Sequence, residues 1–189
     1  MNKSELRTHM RLQRRRLSFL VQERHGRDFL DRIIRLRAYQ RCQKLACYMP
    51  VSGELDTYPL MEHALSEGRE LYLPVIDTNR MWFTRWFGET LPIDRTSRIP
   101  QPLKKQRRLV NTNALDLVIV PLVSFGRDGS RLGQGGGYYD RAFWHRRFQS
   151  WRRPLLVGAA HDVQEFTHIP NDPWDIPLDG IVTNRETIL

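Results

Sequence analysis

"DLVIVPLVSFGRDGSRLGQGGGYYDR", residues 116–141, is the stretch on which the reading of the fold turns. Four consecutive apolar residues, Leu117 to Val120, stand between Asp116 and Pro121. A strand with no polar alternation is buried on both faces, as strands of parallel sheets are. Gly133, Gly135, Gly136 and Gly137 follow, and they run into Tyr138, Tyr139, Asp140 and Arg141. The segment "YYDRAFWHRRF", residues 138–148, reads as a helix. The glycines therefore sit between a buried strand and a helix, where ligands bind in open α/β sheets. Glycine lets backbone N–H groups approach an anion closely, and a helix start there adds about half a positive charge.

Outward from this stretch, strand and helix alternate. "PLLVGAA" (154–160) and "KLACYMP" (44–50) read as buried strands, and "ELYLPV" (70–75) and "MWFTRWF" (81–87) as two more. "DTYPLMEHALSEG" (56–68) is a helix with Asp56 or Thr57 as N-cap, Pro59 in the first turn and Gly68 at its end. The first forty residues read helical: Leu6, Met10, Leu17 and Leu20 recur at near-helical spacing, as do Phe29, Leu30, Ile33, Ile34 and Arg37. From 88 to 113 periodicity is lost, and a long connection serving the site is expected. The pattern implies one α/β domain over 1–189 with a mostly parallel sheet. Trp82 and Trp86 read as core or cleft wall.

Composition narrows the class. In 189 residues, 40% hydrophobic and 27% charged residues describe an ordinary globular chain. No apolar run is long enough to span a membrane, and the N-terminus has no signal-peptide core. Cys42 and Cys47 form neither a CxxC pair nor a scaffold, which suits buried thiols in a reducing cytoplasm. The six histidines are scattered and contain no HxxxH pair, so no zinc site is expected. Thirty Lys and Arg against 21 Asp and Glu give a net charge of +9, which favours anionic partners.

Two familiar phosphate loops are excluded. GxGxxG would need glycine where Tyr138 stands, and Walker A needs a lysine, whereas none follows Lys105. The stretch "PLVSFGRDGSRLGQGGGYYDR" (121–141) instead resembles the signature of the 5-formyltetrahydrofolate cyclo-ligase (methenyltetrahydrofolate synthetase) family. "KSELR" at 3–7, "YMPVSGELDT" at 48–57, "IPQP" at 99–102 and "IPNDPWDIPLDGIVT" at 169–183 extend the resemblance over the whole length. It implies a three-layer αβα fold, and an ATP- and Mg²⁺-dependent closure of 5-formyltetrahydrofolate to 5,10-methenyltetrahydrofolate that releases ADP and phosphate.

The resemblance also implies roles. Arg131 and Tyr138 are the expected catalytic residues. ATP is expected against Lys3, Arg7, Arg131, Gly133, Gln134, Gly135, Gly136, Gly137, Tyr138, Tyr139, Asp140 and Arg141. Met49, Glu54, Gly135 and Tyr138 are expected to meet the folate, with Glu54 on the pterin. Asp140 and Asp175 are the expected Mg²⁺ ligands, Asp172 and Asp179 being nearby competitors. Some family members carry lysine where this chain has Gly136, which leaves more of the charge to Arg131, Lys3 and Arg7. A basic strip at Lys104, Lys105, Arg107 and Arg108 is expected to grip a polyglutamate tail on the substrate. Two rivals stand beside this reading: an ATP-binding paralogue with another substrate, and a nucleic-acid-binding protein. The second lacks any recognised nucleic-acid module. A monomer without membrane partners is expected.

Overall fold

The computed structural model describes residues 1–77, 79–93, 100–102, 108–148 and 153–189. Its centre is a sheet of eight strands. The strand β5 (Leu117–Pro121) lies between β1 (Lys44–Ala46) and β8 (Leu155–Ala160), parallel to both. Beyond β8 comes β9 (Gly180–Thr183), and on the far side of β1 comes β2 (Glu70–Asp77), again parallel. The edges are antiparallel. β10 (Thr187–Ile188) closes one side, and β3 (Arg80–Trp86) with β4 (Leu109–Val110) closes the other.

Side-chain alternation on these strands makes two cores. Leu45, Leu117, Ile119, Val157, Ala159 and Val182 point to one face. Ala46, Val118, Val120, Leu156, Ala160 and Ile181 point to the other. Each leucine, isoleucine or valine side chain buried this way contributes about 1.5–3 kcal/mol. The first face is covered by α2 (Phe19–Ile33), α3 (Arg37–Gln40) and α4 (Tyr58–Ser66), through Phe29, Ile33, Tyr39, Leu60, Met61 and Ala64. The second is covered by α5 (Tyr138–Ala142) and the turn after it, through Tyr138, Tyr139, Ala142 and Phe143. Helices on both faces of a mostly parallel sheet make the three layers. Cys42 and Cys47 are free, buried thiols.

The first helix, α1 (Lys3–Arg15), stands apart from both layers. Asn2 caps it, accepting from the N–H groups of Ser4 and Glu5, while the Glu5 carboxylate returns to the Asn2 N–H. Leu6 and Met10 pack on Val123, Leu132 and Ile169 in a third, smaller core. The expected stripe does not continue to Leu17 and Leu20. Ser18 caps a new helix, Leu20 is 72% exposed, and Arg14 takes the third buried place on α1.

Three other expectations are corrected. The helix after the glycines has only five residues before a 3-10 turn (Trp144–Phe148), so its dipole is small. Among the described residues of 88–113 none lines the main cavity. Part of that segment forms β4, and Gln101 accepts a hydrogen bond from the Ile76 N–H. Trp86 is core, but Trp82 is half exposed on β3. A hairpin of β6 (Ser124–Phe125) and β7 (Arg131–Leu132), unforeseen in the sequence, lies between β5 and the glycines. Among the described residues no helix is long and apolar enough to cross a membrane.

The sheet order carries a functional consequence. From β1 the chain winds outward through α4 to β2 on one side, and β5 opens the other side. The strand order therefore reverses between β1 and β5, and the loops leaving their carboxyl ends frame a crevice. These loops carry Glu54 and the glycine run.

Candidate active site

A cavity of about 620 Å³ occupies that crevice. Every residue assigned above to ATP, the folate ring or the metal lines it, except Arg141. Arg141 lines a smaller cavity of about 500 Å³ next door, with Trp144 and Trp174, and donates to the Asn79 carbonyl.

The loop after β1 is built from inside. Ser52 (φ 52) and Gly53 (φ 75) are both left-handed, which turns the chain back and buries Glu54. Four of its carbonyls are engaged: Val51 by the Glu54 N–H, Ser52 by Arg14, Gly53 by His161 and Leu55 by the Tyr48 hydroxyl. Burial raises the Glu54 carboxyl above its ordinary range, against the opposing pull of Arg14, Gln134 and the Val51 N–H. Met49 is buried and lines the same cavity.

Behind this loop sit two buried histidines. His161 Nε2 is 3.2 Å from the Gly53 carbonyl, and its Nδ1 is 2.9 Å from Nδ1 of His25. Because a carbonyl only accepts, His161 donates there from Nε2, and His25 must donate to its Nδ1. Burial pushes His161 down to about 4, with His25 adding to the shift, and burial lowers His25 too.

The glycine loop is built from outside. Gly135 (φ 107) and Gly137 (φ 62) hold backbone that side-chain-bearing residues rarely adopt. Arg7 Nε donates to the Gly133 carbonyl at 2.9 Å, and Arg11 Nη2 to the Gln134 side-chain oxygen at 2.7 Å. Among the described residues, none accepts from the N–H groups of residues 133–137. Gln134 joins the two loops, donating to Glu54 Oε1 at 3.0 Å.

Beside the glycines, Arg131 is buried and donates to Asp140 Oδ1 at 2.6 Å, where the Ile176 N–H also donates. Its guanidinium lies 5.8 Å from the centre of the Tyr139 ring, which itself stacks on Phe143. Tyr139 is thus partly a packing residue. Lys3 Nζ contacts Asp172 at 2.6 Å and Asp175 at 2.7 Å. Burial opposes the Lys3 charge, but these two hydrogen bonds outweigh it and raise its pKa. Asp172 is therefore in the site, whereas Asp179 pairs with Arg146 outside it. The bonds to Asp140 all fall on Oδ1 and those to Asp175 on Oδ2, so each keeps a second oxygen for a cation. One or two carboxylates beside a phosphate cradle fit Mg²⁺.

Sequence reasoning missed Arg11 and Arg14, which line the cavity along with Lys3 and Arg7. The signal was there: continuing the four-residue step from Lys3 to Arg7 reaches Arg11, and one further turn reaches Arg14. Of the expected tail-binding strip, Lys104, Lys105 and Arg107 lie outside the described residues. Arg108 is exposed just before edge strand β4, its N–H donating to the Thr84 hydroxyl on β3, and it does not line the cavity.

A cleft at the reversal point of a parallel sheet, with free amides on one wall and cations on another, marks an α/β enzyme with an anionic ligand. The comparisons make this specific. The family model for the 5-formyltetrahydrofolate cyclo-ligase family matches residues 1–184, and the chain belongs to that family. The 5-formyltetrahydrofolate cyclo-ligase of Escherichia coli K12 is 32% identical over 179 residues, covering 92% of this chain and 96% of its own. A probable 5-formyltetrahydrofolate cyclo-ligase from Caenorhabditis elegans is also 32% identical, with 99% and 95% covered. The NMR structure of Aquifex aeolicus 5,10-methenyltetrahydrofolate synthetase superposes with a TM-score of 0.84 at 34% identity, covering 99% of this chain and 92% of that one.

Proposed function

We propose that the chain closes 5-formyltetrahydrofolate to 5,10-methenyltetrahydrofolate at the expense of ATP, with Mg²⁺, releasing ADP and phosphate. The observation that carries this reading is the single cavity in which buried Glu54 and the free amides of the glycine run face one another, bridged by Gln134. One wall suits a ring with N–H groups, and the other suits a polyphosphate.

The chemistry explains why both must share a cavity. An amide oxygen is a poor leaving group. The formyl oxygen attacks the γ-phosphorus, and the bond from that phosphorus to ADP breaks. N10 then adds to the activated formyl carbon and loses its proton, and the oxygen departs as phosphate, leaving the methenyl bridge. The protein contributes positioning and charge. Glu54 accepts the pterin N–H groups against the Met49 wall, and Tyr138 borders the ring. The amides of 133–137 with Lys3 and Arg7 hold the triphosphate, and Arg131, fixed by Asp140, meets the transferring phosphoryl. Asp140 and Asp175 would hold Mg²⁺, which supplies charge neutralisation on the phosphates when bound.

The test is direct. Purified protein with 5-formyltetrahydrofolate should give methenyl absorbance only when ATP and Mg²⁺ are both present. Folded protein that gives none under saturating conditions would refute the reading and favour the paralogue.

A further inference from the structure

Arg14 is a buried cation for which the roles above have no use. Its side chain is 3% exposed, yet it lines the cavity beside Tyr48, Met49 and Glu54. Nη2 donates to the Ser52 carbonyl at 3.0 Å. Nε and Nη1 are buried and, among the described residues, have no acceptor. Nη1 stands 4.0 Å from Glu54 Oε1, beyond the roughly 3.2 Å of a hydrogen bond. Buried donors left unmade cost stability, more so when charged, so native structures rarely keep two on one side chain. Burial outweighs Glu54 and lowers the guanidinium pKa, in keeping with a cation short of partners.

What could satisfy it follows from its neighbour. Glu54, where ionised, only accepts, so it selects N–H groups on a ligand. Arg14 only donates, so it selects an oxygen. Held 4.0 Å apart, the two cannot satisfy each other but can meet adjacent atoms of one ring edge. An edge with N–H beside C=O is that of a cyclic amide, and a 2-amino-4-oxopteridine carries one. We infer that Arg14 is a specificity-determining substrate contact, its free nitrogens taking the ring 4-oxo group next to the N–H groups held by Glu54. This rests on the folate reading above.

The inference predicts a sharp discrimination. Replacing the 4-oxo group by 4-amino sets a donor against a donor. A site built to bond one polar group rejects an analogue lacking it far more strongly than an apolar site would. The experiment titrates 5-formyltetrahydrofolate and its 4-amino-4-deoxy counterpart into the full chain by calorimetry, without ATP. The wild-type chain should prefer the 4-oxo compound by on the order of a hundredfold or more. Arg14→Met should weaken the 4-oxo compound by tens of fold and leave the 4-amino compound unchanged or tighter, which also shows that the pocket is intact. Should Arg14→Met not fold, Arg14→Lys retains the charge and one arm for Ser52, and its preference should fall below about tenfold. Equal weakening of both ligands would make Arg14 a structural prop and overturn the inference, as would undiminished preference in Arg14→Lys. If neither compound binds the wild-type chain, the folate reading fails first and takes this one with it.

Discussion

Two loops leave the reversal point of the sheet, and they are built on opposite principles. The loop after β1 has its carbonyls tied to buried side chains from three directions, and it hides its acid. The loop after β5 exposes Gln134, Gly135 and Gly136 and leaves its amides free. The first spends its hydrogen bonds on its own shape, so that one carboxylate points one way. On the reading proposed above, the second keeps its donors for a polyphosphate, whose oxygens are many and equivalent. Recognition of a ring requires a fixed edge, whereas a phosphate chain accepts any amide that can come close.

The contrast can be broken most severely at Asp140. Asp140→Asn retains an oxygen for Arg131 and the Ile176 N–H but removes the charge available to a metal. Turnover should fall by on the order of a hundredfold or more, while stability drops by about 1–3 kcal/mol as the hydrogen bond to buried Arg131 loses its charge. Parallel rate and denaturation measurements separate the two effects. Normal turnover would remove Asp140 from the chemistry.

Gly135→Val tests whether the loops are separable. A branched side chain at φ 107 is strained and stands where phosphate must approach. KM for ATP should rise at least about tenfold, roughly 1.4 kcal/mol, while folate binding measured without ATP stays within about twofold. An equal loss in both would show that the loops behave as one, and the comparison would be withdrawn.

The smallest effect concerns the histidine pair behind the first loop. A histidine in an unfolded chain takes its proton near 6.5, whereas buried His161 does so only near 4. The unfolded state therefore binds more protons between those values. The resulting stability is complete above about pH 6.5 and is lost progressively as pH falls towards 4. His161→Gln should flatten the dependence of the denaturation midpoint over that window, at a cost of about 1–2 kcal/mol at pH 7. An unchanged slope would place the acid sensitivity elsewhere.

Much of this was readable in the sequence, for definite reasons. Leu117–Val120 read as a strand with both faces covered, and Gly133–Gly137 as a backbone that something approaches rather than a flexible turn. Glu54, Asp140 and Asp175 came with the family resemblance, not from pattern alone, since a lone carboxylate in a loop is ordinarily solvated. Arg14 was passed over, although the helical step from Lys3 reaches it, because arginine at a helix end ordinarily reads as surface. Its burial depends on Ser52 and Glu54, some forty residues further on. The His25–His161 contact spans 136 residues and leaves no local trace. Gly180–Thr183 and Thr187–Ile188 were missed because strands this short carry too little pattern, and the sheet alone makes them strands.

The first helix has one more consequence. Lys3, Arg7, Arg11 and Arg14 all ride on α1, and eleven residues of rise separate the first from the last by about 16 Å. Four cations of the cavity are thus graduations on one rigid rule, laid from the aspartate end to the glutamate end. They cannot be adjusted one at a time. The rule is seated on the protein by a small apolar contact around Leu6 and Met10, and its zero mark is the Asn2 cap immediately before Lys3. A change at Asn2, which lines no part of the cavity, therefore disturbs all four through the one helix they share.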